Sequence, residues 1–106
     1  NARKETKFMK ITAEVSRLFG DREDMLKAAT NIILEDDKDR IVIKNVRVIE
    51  GKNGLFISLP ARRNVKNEFK EICYPLSADL RERMSAAVLA AYEQALKNPP
   101  NKPFAQ

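Results

Sequence analysis

The sequence predicts an α+β domain, an antiparallel sheet of about five strands followed by one C-terminal helix. Three observations carry that expectation. Apolar and polar residues alternate through the first two-thirds of the chain, the period of half-buried strands. Asn53-Gly54 joins two such runs and is a strong hairpin signal. From Ser77 onward the apolar spacing lengthens to that of a helix.

In order along the chain, Met9, Ile11, Ala13 and Val15 share one parity while Lys10, Thr12 and Glu14 take the other. Residues 20–24, Gly-Asp-Arg-Glu-Asp, read as a polar turn. Leu26, Ala28, Thr30, Ile32 and Leu34 repeat the alternation up to an acidic loop at residues 35–39. In the next strand the apolar positions change parity, from Ile41 and Ile43 to Val46 and Val48. A period-two element keeps one face apolar across such a change only by taking in an extra residue, so a β-bulge is expected at Lys44-Asn45. The alternative is a strand buried on both faces, as by a second subunit. Asn-Gly then supplies the positive φ of a tight turn, and Leu55, Ile57 and Leu59 line a fourth strand closed by Pro60. Residues 69–74, FKEICY, read as a short fifth strand ended by Pro75. Ser77 is placed to cap a helix whose first turn carries Asp79 and whose apolar stripe is Leu80, Met84, Val88, Ala91 and Ala95. Lys97 and Pro99-Pro100 end it. The chain thus divides into an N-terminal extension or cloning remnant (1–8), a single domain (9–96) and an extended, mobile tail (97–106).

With 106 residues there is room for one compact domain. No apolar run is long enough to cross a bilayer, and the N-terminus lacks the hydrophobic core of a signal peptide. One cysteine makes no intrachain disulfide, which fits a reducing compartment, and the expected location is the cytoplasm.

Catalytic groups are sparse. With no histidine, the commonest general base, the usual nucleophile pairs and most zinc sites are excluded. Cys73 stands between Ile72 and Tyr74 with no second thiol or imidazole, so it reads as a packed core cysteine. The acidic clusters at Asp21/Glu23/Asp24 and Asp36/Asp37/Asp39 lack the spacing and glycine of a calcium loop. No glycine-rich phosphate loop is present. The expectation is a binder, not an enzyme, with no metal, cofactor or small-molecule substrate.

Charge points to what is bound. The net charge is +5, but it is unevenly placed: residues 40–70 hold eight basic and two acidic side chains, whereas residues 11–39 hold four and eight. The densest part is residues 61–70, where Arg62, Arg63, Lys66 and Lys70 accompany one acid, two asparagines and Phe69. Guanidinium groups pair with phosphate in a planar, bidentate fashion and also meet guanine edges. Read as a loop between strands, this segment lets adjacent arginines fan out, and Lys44, Arg47 and Lys52 extend the field if the third strand runs nearby. One helix covers one face of a sheet, and the face left open implies pairing with a second copy.

The run Ile43-Lys44-Asn45-Val46-Arg47-Val48-Ile49-Glu50-Gly51 through Gly54-Leu55-Phe56-Ile57-Ser58-Leu59-Pro60 resembles the core of the SpoVG family, where a strand ending "IRVI-[DE]-G" leads through "GLFVAMP". The continuation Ala61-Arg62-Arg63 to Glu68-Phe69-Lys70-Glu71-Ile72-Cys73-Tyr74-Pro75 resembles its "P-x-[KR]-R" and "EF-x-D-I-x-H-P" blocks, and a Ser-led helix follows as in that family. The likeness spans about residues 9–96. It implies a SpoVG-like homodimer that binds DNA, RNA or both with sequence preference, and that regulates transcription and septation or sporulation. It places the family's basic pair on Arg62 and Arg63. A recognition role of the C-terminal helix falls on Arg81 and Arg83. The chain departs from the family in offering mainly Arg17 in its first strand, and in carrying Tyr74 for a common histidine and Asn64 for a common threonine. A protein-interaction adaptor in cell division, acting without nucleic acid, is the alternative reading of the same surfaces.

Overall fold

A computed structural model describes residues 9–19 and 25–98. The expected N-terminal extension, the turn at residues 20–24 and the Pro-rich tail from residue 99 lie outside them. Four strands form the main sheet: β1 (Lys10–Leu18), β2 (Leu26–Glu35), β3 (Arg40–Gly51) and β4 (Gly54–Ser58). They pair antiparallel in sequence order. Among the described residues two short strands, β5 (Ala61–Arg63) and β6 (Phe69–Glu71), pair only with each other, and helix α1 (Ala78–Lys97) follows.

The bulge expected from the parity change in β3 is present where the pattern required it. Thr30 pairs with Val46 and Ile32 with Ile43, so Lys44 and Asn45 together face the single residue Asn31. Asn45 takes φ +64°, a left-handed conformation that asparagine tolerates better than most residues. Val46 and Val48 thereby turn to the same side as Ile43 and are fully buried. Thr30, also fully buried, donates its hydroxyl to the Val46 carbonyl at 2.8 Å, which satisfies both groups beside the interrupted ladder.

The hairpin at residues 51–54 forms with Gly51 paired to Gly54. The positive φ falls on Gly54 (+118°) and not on Asn53. Glycine alone adopts that angle at little cost, so the turn depends on position 54.

Helix α1 begins as its sequence indicated. Ser77 accepts a hydrogen bond from the Leu80 amide at 3.1 Å, and Asp79 sits in the first turn. The helix lies mainly across β1, with further contact to β2, β3 and β4. Met84, Val88 and Tyr92 point into the sheet, where Ala28, Ile32, Val46, Val48, Ile57 and Leu59 meet them, and Ala95 is also buried. Tyr92, not Ala91, continues the buried stripe, because i, i+4, i+8 spacing from Met84 reaches it.

Two expectations are corrected. The fifth strand does not extend the main sheet; it is shortened to Phe69–Glu71 and pairs with Ala61–Arg63, a segment expected to be a loop. Pro60 has no amide hydrogen to continue a ladder, and beyond it the chain leaves the sheet. Cys73 is exposed, not core. It falls past the end of β6, in an irregular segment that none of the described elements covers.

Candidate nucleic-acid interface

The two-stranded ribbon β5–β6 carries the basic segment. Its base is tied by the Ile72 amide to the Pro60 carbonyl at 2.8 Å, directly after Leu59, which is anchored in the core. Every residue from 61 to 70 is exposed. An isolated hairpin is marginal in water, so local bonds must hold its shape.

Asn64 supplies most of them. Its Oδ1 accepts from the amides of Lys66 (2.9 Å) and Glu68 (3.0 Å), and its Nδ2 donates to Glu68 Oε1 at 3.2 Å. Its backbone amide also donates to the Glu68 carbonyl at 2.8 Å. Asn67 completes the turn in a left-handed conformation, φ +67°.

Because Arg62 and Arg63 lie on a strand, they alternate across it and do not fan out as loop residues would. Arg62 stands directly opposite Lys70, and Arg63 opposite Phe69. Arg63 is held by its neighbours: Nη1 donates to Asn67 Oδ1 at 2.7 Å, and its guanidinium lies over the Phe69 ring at 4.6 Å. Arg62 and Lys70 make no ion pair or side-chain hydrogen bond among the described residues. Like charges facing each other across a strand pair oppose folding. A polyanion would relieve that repulsion.

The two helix arginines are otherwise engaged. Arg81 Nη2 donates to Glu71 Oε1 at 2.6 Å, and Arg83 Nε to Asp79 Oδ2 at 3.0 Å, one turn earlier in the same helix. Glu71 shares a ribbon face with Ala61, Arg63 and Phe69, so that face is the one turned toward α1, and Arg62 and Lys70 point away from it. Lys66 sits in the turn at the tip, next to the fully exposed Val65. Of the outlying cations, Arg47 faces Ser58, shortly before the ribbon begins. Lys52 lies at the far end of β4 and is not part of this cluster.

Sequence reasoning singled out the four basic residues but missed the roles of Asn64, Asn67 and Glu71. The Asn64-x-x-Asn67 spacing was a visible turn signal. The Glu71–Arg81 pair had none, since it joins residues from two elements.

Among the described residues no group of three or more His, Cys, Asp and Glu side chains is placed to hold a metal ion. None of the described helices is long and apolar enough to cross a membrane.

The sequence profile of the SpoVG family matches residues 9–94. SpoVG of Caldanaerobacter subterraneus is 38% identical over 94 residues, covering 89% of this chain and 99% of the relative. A SpoVG from an Anaeromyxobacter strain is 41% identical over 81 residues, covering 76% and 80%. That of Treponema denticola is 48% identical over 69 residues, covering 65% and 71%. All three relatives are named septation proteins.

Proposed function

The chain belongs to the SpoVG family, and from that premise we propose that it is a sequence-preferring nucleic-acid-binding regulator whose contact surface is the β5–β6 ribbon. The observation that carries this reading is the directly opposed, unpartnered Arg62 and Lys70 on an exposed hairpin. Arg63 and Lys66 enlarge the same field. The ribbon's carboxylates do not cancel it, because Glu71 is paired with Arg81 and Glu68 stands alone against Arg62, Arg63, Lys66 and Lys70.

The protein acts in the cytoplasm, as a homodimer, in processes of the septation and sporulation kind. Dimerisation is supported by apolar surface that one chain leaves open. Val42 and Phe56 lie on the sheet face away from the helix, and Ile72, Tyr74 and Leu76 line the segment between ribbon and helix. The same apolar residues favour the second reading, an adaptor that docks another protein in cell division.

Titration of DNA and RNA at several salt concentrations separates the two readings. Nucleic-acid binding weakens linearly in log–log form as counterions are released, and the Arg62→Ala/Lys70→Ala variant should bind more weakly at every salt concentration. No measurable affinity for any nucleic acid, or a variant with unchanged slope and affinity, would overturn the first reading.

A further inference from the structure

We propose that the ribbon enters the major groove of duplex DNA and turns its Arg62/Lys70 face to the base edges. This inference rests on the nucleic-acid reading above and adds which element docks, in which groove and by which face.

Shape comes first. The ribbon stands clear of the domain, with residues 61–70 exposed on both faces. Two strands about 4.8 Å apart, with side chains above and below, suit the major groove of B-form DNA, which is about 12 Å wide and admits a two-stranded ribbon. The minor groove is about half as wide. The major groove of A-form RNA is deep and too narrow for side chains to read.

The chemistry of the two faces differs. Arg63 is already committed to Asn67 and to the Phe69 ring, so it is positioned but not free to reorient. Arg62 and Lys70 have no such partners among the described residues, and arginine or lysine facing guanine O6 and N7 is the commonest specific major-groove contact. The ribbon tip adds an apolar group. Val65 is fully exposed there, which nothing in a phosphate-binding surface requires, and an apolar side chain at this place suits the methyl group of thymine.

A single-stranded ligand fits less well. Platforms for single strands stack successive bases on several aromatic rings. From residue 61 to residue 71 the sole aromatic is Phe69, and one side of its ring is taken by Arg63.

The test compares the DNA duplex best bound from a random pool, the RNA duplex of the same sequence, and the single DNA strand. The DNA duplex should bind at least about tenfold more tightly than either other form. Replacing its guanines with 7-deazaguanine removes the major-groove N7 acceptor while leaving every phosphate, and should weaken binding at least about fivefold. That sensitivity should vanish in Arg62→Ala or in Lys70→Ala, with circular dichroism confirming the fold of each. Equal binding of RNA and DNA duplexes, preference for the single strand, or indifference to 7-deazaguanine would overturn the groove assignment while leaving the nucleic-acid reading in place. No binding to any of the three would overturn both.

Discussion

Arg81, near the start of the helix, donates from Nη2 to Glu71 Oε1 at 2.6 Å and so joins α1 to the outgoing strand of the basic ribbon. Both side chains are partly exposed, 41% and 30%, so the pair contributes little to global stability, on the order of 1 kcal/mol or less. Its consequence is positional. It fixes the angle at which a small, otherwise free-standing hairpin leaves the domain, and it keeps a carboxylate turned from the face that carries Arg62 and Lys70.

Glu71→Ala gives opposite results under the two roles open to this pair. Electrostatics alone predicts tighter binding of a polyanion, because a negative charge beside the ribbon is lost. A positioning role predicts weaker binding by a few-fold, within the roughly fivefold that about 1 kcal/mol allows. We expect the weakening, and its reversal in the charge-swapped variant Glu71→Arg/Arg81→Glu, whose net charge is unchanged. Tighter binding by Glu71→Ala would remove the positioning role.

Arg62 and Arg63 are adjacent in sequence but should behave differently when replaced. Arg62→Ala should leave hydrogen exchange of the ribbon amides unchanged while relaxing discrimination at one base position by about 1–3 kcal/mol. Arg63→Ala removes the stack on Phe69 and the bond to Asn67, so the amides of Lys66 and Glu68 should exchange faster. Equal exchange in the two variants would mean that the Arg63–Phe69 contact does not order the hairpin.

Asn45 tests the bulge. Its φ of +64° is tolerated by asparagine and free to glycine, whereas a β-branched side chain is strained there. Asn45→Val should destabilise by about 1–2 kcal/mol in chemical denaturation, and Asn45→Gly should be close to neutral. Equal stability of the two variants would place the strain elsewhere.

Thr30→Val keeps the shape of a fully buried side chain but removes the hydroxyl that donates to the Val46 carbonyl. The expected loss is about 1–2 kcal/mol, because a buried acceptor is left without its donor. A neutral substitution would show that the carbonyl finds another partner.

Ile72, Tyr74 and Leu76 lie on either side of the exposed Cys73, so the thiol reports on what covers this segment. In a dimer paired through these residues, sedimentation should give twice the 12.1 kDa chain mass, and Leu76→Asp should shift it toward one. Cys73 should then be labelled without denaturant faster in the Leu76→Asp variant than in the parent protein. A parent protein of single-chain mass at micromolar concentration would contradict pairing.

What the sequence determined by itself were the features with a local cause. The parity change from Ile43 to Val46 required an added residue in β3, and the bulge at Lys44-Asn45 is that residue. Ser77 as cap and the apolar spacing of Met84 and Val88 located the helix, since both depend on residues within one or two turns. The concentration of positive charge at Arg62, Arg63, Lys66 and Lys70 was equally visible. Tertiary structure alone decided how these charges are arranged. Whether Arg62 and Arg63 fan out or alternate depends on Ala61–Arg63 finding Phe69–Glu71 as a partner, a pairing across a turn that three residues per strand barely signal. Cys73 is exposed because none of the described layers covers the segment after β6, although its apolar neighbours suggested a core strand. Arg81 was readable as a cation but not as a strut, because its carboxylate comes from Glu71, ten residues away in another element. Periodicity and capping act within a strand or a helical turn, whereas a site is made where separate elements meet, and that meeting is set by the packing of the whole chain.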